Sequence, residues 1–267
     1  DQQRDNIAFL DHARAPIRCA CTVFAIIALL PLPRSRCPSD GVLFDLGQTY
    51  NKFCRYCLHR HKQHRSQLRS EYEVFVEFSF PPHKITVNMP NAAALLAEVG
   101  TRMRAGQGYA LATINLDHLV KLARDPSFRE VYAAQDLVCA DGNPIVWLSK
   151  LARKPVDLVP GSDMVLPMAH QAARNGVPIA LMGSTDEALS TAAKSLKDQV
   201  TGLEVAICIA PPMGFDPKGP DARRILQEIA ASGAGLTFIA LGAPKQEIYA
   251  AFGREVTPHM GFASIGA

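Results

Sequence analysis

The feature that most constrains the fold is a regular alternation of short apolar runs with stretches of helical length, which starts near His83. The runs 109–114 and 137–140 are almost entirely apolar over their whole length. Such runs are typical of parallel strands that are covered on both faces. Strands that alternate with helices indicate βαβ units. The sequence therefore predicts an α/β fold with an open, doubly wound, mainly parallel Rossmann-like sheet.

The alternation can be divided into individual elements. We predict strands at 84–88, 109–114, 137–140, 178–182, 203–209, 236–241 and 259–265. We predict helices at 92–104, 119–123, 128–134, 144–151, 163–174, 185–199, 221–231 and 244–252. Asn91 is a suitable cap for the first of these helices and Gly106 a suitable end.

The first 84 residues lack this periodicity, so we predict an irregular, basic, Cys/His-containing extension over 1–84 and an α/β domain over 85–267. The extension has 12 basic and 8 acidic residues, whereas the domain has 16 and 17. A near-neutral domain argues against nucleic-acid binding, which usually requires a basic face. Five of the seven cysteines lie in the extension. An odd number without a regular framework fits a reducing compartment better than a disulfide-stapled domain.

Two features of the extension have alternative interpretations. The apolar run 22–30 is shorter than the roughly 20 residues that a membrane-spanning helix needs, but it could be a signal-peptide core or a local helix. The segment 54–64 contains two cysteines and three histidines, which are zinc ligands. Structural zinc sites normally bring two separated ligand pairs together, so we favour a basic, solvated segment.

Polar residues follow four of the predicted strands, at the sheet edge where open parallel sheets bind ligands. After the strands ending near 114 and 140 these candidates are Thr113, Asn115, Asp117, His118, Asp141, Gly142 and Asn143. After the strands ending near 182 and 241 they are Gly183, Ser184, Thr185, Gly242, Pro244, Lys245, Gln246 and Glu247. We predict that these strand ends form the functional site.

Each candidate also has a structural interpretation. Asp141 could take a proton from a hydroxyl or cap the following helix. Thr113 and Asn115 could hydrogen-bond a sugar or orient that carboxylate, or they could belong to ordinary turns. Ser184 lies where backbone N–H groups could meet a phosphate, or in a simple capped turn. Lys245 could hold a phosphate or lie in a solvated first turn.

Several common motifs are absent from the sequence. It contains neither the glycine-rich dinucleotide fingerprint nor a P-loop. It also lacks the G-x-S-x-G elbow of hydrolases and a D-x-D pair for a divalent metal. The remaining histidines show no metal spacing, so we predict no cofactor and no metal.

Five motifs occur in a defined order along the predicted domain. They are Thr113-Ile-Asn115-Leu-Asp117-His118, Ala140-Asp141-Gly142, Pro160-Gly161-Ser162-Asp163, Leu181-Met-Gly183 and Leu241-Gly-Ala-Pro-Lys-Gln-Glu247. As a set they resemble the WecG/TagA/CpsF glycosyltransferases (glycosyltransferase family 26), from about residue 85 to the end. The Ala-Asp-Gly turn and the Gly-Ala-Pro-Lys-Gln-Glu segment are the most specific of them.

The resemblance implies a bacterial, inverting, metal-independent enzyme that acts in cell-envelope or exopolysaccharide synthesis. Its donor would be a UDP-sugar, often UDP-N-acetylmannosamine or its uronic acid, and its acceptor a sugar on a polyprenyl diphosphate. By the same resemblance Asp141 would be the general base, Thr113 and Asn115 would line the pocket, and Gln246 would contact substrate. We expect a cytoplasmic protein peripheral to the inner face of the plasma membrane, without a nucleic-acid partner. A homo-oligomer remains open.

Members of that family typically continue beyond the last strand into a segment rich in arginine and aromatic residues that closes the site. The present sequence ends at Ala267, so it resembles a member without that segment, and we expect weak donor binding and slow turnover. Two other functions fit the same fold. They are a non-catalytic sugar-nucleotide-binding module and a UDP-sugar epimerase-like enzyme.

Overall fold

The computed structural model describes residues 75–266, and the elements below are those of that part of the chain. The strands are β1 Val76–Phe80, β2 His83–Val87, β3 Tyr109–Ile114, β4 Leu137–Ala140, β5 Ile179–Gly183, β6 Val205–Ile209, β7 Leu236–Ala240 and β8 Gly261–Ser264. The helices are α1 Ala92–Ala105, α2 Leu116–Arg124, α3 Pro126–Ala133, α4 Asn143–Leu151, α5 Gly161–Arg174, α6 Asp186–Gln199, α7 Pro220–Ala231 and α8 Lys245–Val256.

Strands β3 to β8 form one six-stranded sheet in the order β4-β3-β8-β7-β5-β6, and all of its strand pairs are parallel. Strands β1 and β2 form a separate antiparallel hairpin. Because the six strands are parallel, their carboxyl ends meet at one edge of the sheet. The predicted α/β, Rossmann-like class is confirmed.

Helices cover both faces of this sheet. On β3, Tyr109 and Leu111 pack with α1, α5 and α6 in one cluster. The alternate residues Ala110 and Ala112 face the other side, where α7 and α8 form one cluster and α2, α3, α4 and the hairpin form another. This alternation follows from the two-residue period of a strand and explains why both sets of positions are apolar.

The connections that follow the neighbouring strands β5 and β7 run to opposite sides along the sheet. From β5 the chain runs through α6 to β6 on one side, and from β7 it runs through α8 to β8 on the other. The helices α6 and α8 lie on opposite faces. The carboxyl edge between β5 and β7 is therefore a topological switch point, where open α/β sheets form a ligand-binding crevice.

Apart from shifts of one or two residues at element ends, three elements differ from the prediction. Strand β1 lies within the segment predicted to be irregular, although Val76 is buried and pairs with Val87. Helix α2 begins three residues early because Asn115 caps it. Helix α8 continues through Gly253 to Val256, because this glycine makes room for a neighbouring ring. An added Cβ would lie 2.4 Å from Phe262.

Two predictions for the extension concern residues that the structure does not describe. The apolar run 22–30 and the Cys/His segment 54–64 both lie outside residues 75–266, so those interpretations stay predictions, as does the boundary between residues 84 and 85. Within residues 75–266 no helix combines the length and the apolar character needed to cross a membrane.

Candidate functional site

Asp141 lies at the carboxyl end of β4, where its backbone N–H donates to the carbonyl of Ile114 at 2.8 Å. This bond attaches the loop after β4 to the end of β3. The Asp141 side chain is half-buried and has no hydrogen bond or ion pair within residues 75–266. The helix-cap interpretation is wrong, because Gly142 occupies the N-cap of α4 and no side chain caps that helix. The carboxylate is therefore available to a ligand.

The turn after Asp141 requires an unusual backbone. Gly142 has φ +112, a conformation that residues with a Cβ rarely adopt. A Cβ added at Gly142 would lie 3.8 Å from the Cβ of Asn115, so the loops after β3 and β4 lie close together. Asn143 begins α4 and is exposed. Asp141, Gly142 and Asn115 thus form one compact group at the sheet edge.

Asn115 is the N-cap of α2. Its side-chain oxygen accepts from the backbone N–H of His118 at 3.0 Å, and its own backbone N–H donates to the Nδ1 atom of His118 at 3.2 Å. Together these bonds form a reciprocal capping box. The side-chain Nδ2 of Asn115 has no partner within the described part of the chain, so it remains a free donor at the rim.

Two other residues predicted near this strand end make contacts within the fold. Thr113 is buried, and its carbonyl accepts from the hydroxyl of Tyr132 at 2.8 Å. Asp117 is exposed on α2 and forms an ion pair with Lys121. The Lys121 ammonium also donates to the carbonyl of Ala243 at 3.1 Å. Lys121 therefore connects α2 to the loop after β7.

The loop after β7 presents one cation at the edge. Gly242 is exposed and accepts the backbone N–H of Lys245 at 2.9 Å. Lys245 is the first residue of α8, is exposed, and has no ion pair within residues 75–266. A free ammonium at a helix N-terminus suits a phosphate, because the N-terminal N–H groups add to its positive potential.

The next two residues turn inward. The Gln246 side chain donates to Glu247 Oε1 at 2.8 Å and accepts the backbone N–H of Gly266 at 3.1 Å. Glu247 is fully buried, and its Oε1 lies 3.4 Å from His118 Nε2. His118 is also buried, with its ring centroid 5.8 Å from that of Tyr132. Both partners of this pair lie behind the rim rather than on it.

The loop after β5 has two consecutive residues with positive φ. Gly183 has φ +120 and Ser184 has φ +54. A non-glycine residue in that region is strained, and such strain is often found at functional sites. Thr185 caps α6 by accepting from the N–H of Ala188 at 3.3 Å. The first turn of α6 carries two carboxylates, which oppose an anion, so Lys245 is the better phosphate partner.

The strand order sets the distances along the rim. The loop of Asp141 follows β4, and Asn115 follows the adjacent β3. Lys245 follows β7, three strands from β4 and hence roughly 14 Å away at the usual strand spacing. Ser184 follows β5, one strand further. The site thus has a carboxylate at one end and a cation near the switch point.

Two ionisable groups beneath the rim respond to the Asp141 carboxylate. Burial raises the pKa of the Cys139 thiol to about 12, and the negative charge of Asp141 adds to the shift. Burial also raises the pKa of Tyr132, with further contributions from Glu247, Cys139 and Asp141. Both groups therefore stay neutral near pH 7, and Asp141, Tyr132 and Glu247 belong to one electrostatic neighbourhood.

We expect the stability of the domain to fall between pH 8 and pH 10, in part because of Cys139. Since its pKa rises from 9.0 to about 12 on folding, the folded state keeps a proton that the unfolded state releases above pH 9. Between pH 8 and pH 10 one such group lowers the free energy of unfolding by about 1.4 kcal/mol in total. Urea unfolding of wild type and Cys139→Ala at both pH values tests this. An equal pH dependence in the two proteins would contradict it.

Two contributors to the site were not predicted. The hydroxyl of Tyr132 donates to the carbonyl of Thr113. It was not predicted, because a tyrosine in an amphipathic helix is usually an ordinary core residue. Lys121 could have been found, since its i,i+4 spacing from Asp117 is a known ion-pair pattern. Its second contact, to Ala243, depends on the tertiary fold. Across residues 75–266, no group of three or more His, Cys, Asp or Glu side chains could hold a metal ion.

A cavity of about 650 Å³ lies apart from the rim. It is lined by α7 and the C-terminal half of α8, including Arg223 and Phe252. Helix α8 starts at the rim with Lys245 and runs away from it, so this cavity opens near the opposite end of the helix. It contains none of the candidate residues.

Comparison with protein families gives a match to the Glycosyl transferase WecG/TagA/CpsF family over residues 81–267. The matched region includes the six-stranded sheet and every rim loop described above. It covers well over half of the chain, and it agrees with the resemblance in the sequence motifs.

Proposed function

The chain belongs to the WecG/TagA/CpsF family of glycosyl transferases, and we propose a specific reaction for it. Membership supports a transferase with a sugar donor and an acceptor, in cell-surface polysaccharide synthesis. We propose that the donor is a UDP-sugar, N-acetylmannosamine or a related sugar, and that the acceptor is a sugar on a polyprenyl diphosphate. The transfer inverts the anomeric centre and needs no metal ion.

The unpaired carboxylate of Asp141 is the observation that supports this proposal most directly. It is half-buried and uncommitted at the carboxyl edge of the sheet, with the free amide of Asn115 next to it. A carboxylate in this state can accept the proton of an acceptor hydroxyl. The hydroxyl oxygen then bonds to the anomeric carbon while the bond from that carbon to the diphosphate breaks. UDP leaves from the opposite face, and the centre inverts.

Lys245 supports the second half of the reaction. The departing UDP gains negative charge, and an exposed ammonium at the N-terminus of α8 can stabilise it. The switch point between β5 and β7 lies on the side of Lys245 away from Asp141. We propose that the nucleotide occupies this side. The transferred sugar would then lie between Lys245 and Asp141.

Helix α4 supports peripheral contact with the inner face of the plasma membrane from the cytoplasm. It begins two residues after Asp141 and exposes Trp147, Leu148 and Leu151. Lys150 lies on the same helix and Arg153 follows it. Exposed apolar and aromatic side chains with basic neighbours are typical of helices that lie in a membrane interface. A lipid-linked acceptor held there would have its sugar near Asp141.

A transfer assay tests the proposal. The full chain is incubated with a panel of UDP-sugars and a polyprenyl-diphosphate-linked sugar, with and without EDTA, and the products are analysed by mass spectrometry and NMR. We expect one extended lipid product of inverted anomeric configuration in both conditions. A changed sugar without any acceptor would indicate an epimerase instead. UDP binding without a product would indicate a binding module, and activity lost in EDTA would contradict metal independence.

A further inference from the structure

The buried pair of His118 and Glu247 joins the two loops at the centre of the rim. His118 belongs to α2, after β3, and Glu247 to α8, after β7. Strand β8 lies between β3 and β7 in the sheet. Their side chains are 4% and 0% exposed. The mechanism proposed above uses neither of them as an acid, a base or a substrate contact.

Hydrogen bonding fixes which nitrogen of His118 carries the proton. The Nδ1 atom accepts the backbone N–H of Asn115, so it must present a lone pair there. In the neutral ring the proton is then on Nε2, which lies 3.4 Å from Glu247 Oε1. This contact does not have hydrogen-bond geometry, and Nε2 has no hydrogen-bond partner within residues 75–266, so the carboxylate acts on the ring through its charge. A carboxylate facing the second ring nitrogen of a histidine is a common means of fixing tautomer and ring orientation.

The capping box carries this orientation to the rim. The Asn115 backbone N–H donates to Nδ1 of His118, and the Asn115 side-chain oxygen accepts the His118 backbone N–H. The side-chain amide of Asn115 is therefore held in one of its two possible orientations, with its oxygen towards α2. Its Nδ2 is then directed away from the N–H groups of the first turn of α2, in a loop that lies close to Gly142 beside Asp141. A flipped amide would lose the bond to the His118 N–H.

A packing role alone does not account for Glu247. One of its oxygens has no partner within residues 75–266, and the nearby Gln135 donates to the Glu247 backbone carbonyl rather than to its carboxylate. Burying an incompletely bonded carboxylate is costly, and an apolar residue of similar size would often be at least as stable. We therefore expect the charge of the Glu247 carboxylate to have a role in addition to the space that the side chain fills.

We propose that Glu247 and His118 are positioning residues that act through Asn115. Glu247 orients the His118 ring, the ring holds the Asn115 backbone, and the capping box aims the Asn115 Nδ2 donor at the sugar beside Asp141. This proposal rests on the proposed function only for the identity of the group that Asn115 contacts, which is the sugar. The chain of contacts from Glu247 to Asn115 exists without substrate.

A double-mutant cycle separates this role from a purely structural one. Glu247→Gln is expected to lower kcat/KM about tenfold, the value of one well-oriented hydrogen bond. In an Asn115→Ala background the same change should cost less than about twofold, because the residue it acts through is absent. Equal losses in both backgrounds would overturn the proposal. Glu255→Gln, at an exposed position on α8, and His259→Gln, at an exposed turn, are matched controls with unchanged kinetics.

If no sugar transfer is detected, an NMR measurement without substrate still tests the positioning role. In ¹⁵N NMR of the wild-type chain, His118 should show a proton on Nε2 and an unprotonated Nδ1. The Asn115 side-chain amide resonances should shift in Glu247→Gln and in His118→Gln, but not in the two controls. A proton on Nδ1, or unshifted Asn115 resonances, would overturn the proposal. If both NMR results hold while no UDP-sugar is transferred, the proposed function fails and the positioning chain stands.

Discussion

Asp141→Asn is expected to lower kcat by about two to four orders of magnitude, the usual contribution of a general base, while UDP binding changes by less than about twofold. The amide keeps the size of the side chain but cannot accept the acceptor proton. Binding should persist because the proposed nucleotide position near Lys245 is roughly three strand spacings from β4, about 14 Å. Transfer rates and isothermal titration with UDP measure the two effects separately.

The matched control is Asp198→Asn. This carboxylate is exposed near the C-terminal end of α6, away from the rim, and its loss should leave both rate and binding unchanged. Transfer by Asp141→Asn at more than a tenth of the wild-type rate would exclude Asp141 as the base. Loss of UDP binding together with transfer would mean that Asp141 contacts the donor instead.

The sheet could be predicted because its strands are buried on both faces. In β3 and β5 every residue is buried, so the sequence shows the short, continuous apolar runs that are typical of covered parallel strands. Strand β1 was missed for the opposite reason. It alternates buried and exposed residues on a two-stranded hairpin, and five alternating residues next to two prolines give a weak signal.

The placement of the candidate residues in loops after parallel strands could also be predicted, but the orientation of their side chains could not. Strand ends alone identified the loops that carry Asp141, Asn115 and Lys245. The sequence does not reveal that Glu247 turns inward while Lys245 stays exposed, because both lie in the first turn of α8. Their directions depend on the helical phase and on the neighbour His118, which is more than a hundred residues away in sequence.

The two interpretations of Asp141 show the same limit. A carboxylate just before a helix is an ordinary cap in sequence terms. The positive φ of Gly142 places the glycine at the cap position and frees Asp141. A backbone conformation of this kind costs free energy in most residues other than glycine, and the sequence alone does not show that Gly142 adopts it.

Gly183→Ala is expected to lower the free energy of unfolding by roughly 3–5 kcal/mol, among the largest effects of a single substitution. Gly183 ends β5 with φ +120, and an added Cβ would lie 2.2 Å from the carbonyl oxygen of Ala240 on β7. The strained backbone accounts for about 1–2 kcal/mol. The remainder comes from forcing β5 and β7 apart at the switch point. Urea unfolding measures the loss, and the KM for the UDP-sugar should rise in the same variant.

Gly176→Ala separates the two contributions to that loss. Gly176 also has positive φ, at +63, but an added Cβ would meet no atom within 4 Å. This control should cost only about 1 kcal/mol and leave the KM unchanged, since it lies at the end of α5, before β5 begins. Equal stability losses in the two variants would show that β5 and β7 tolerate the extra atom. The close approach of these strands would then not shape the nucleotide crevice.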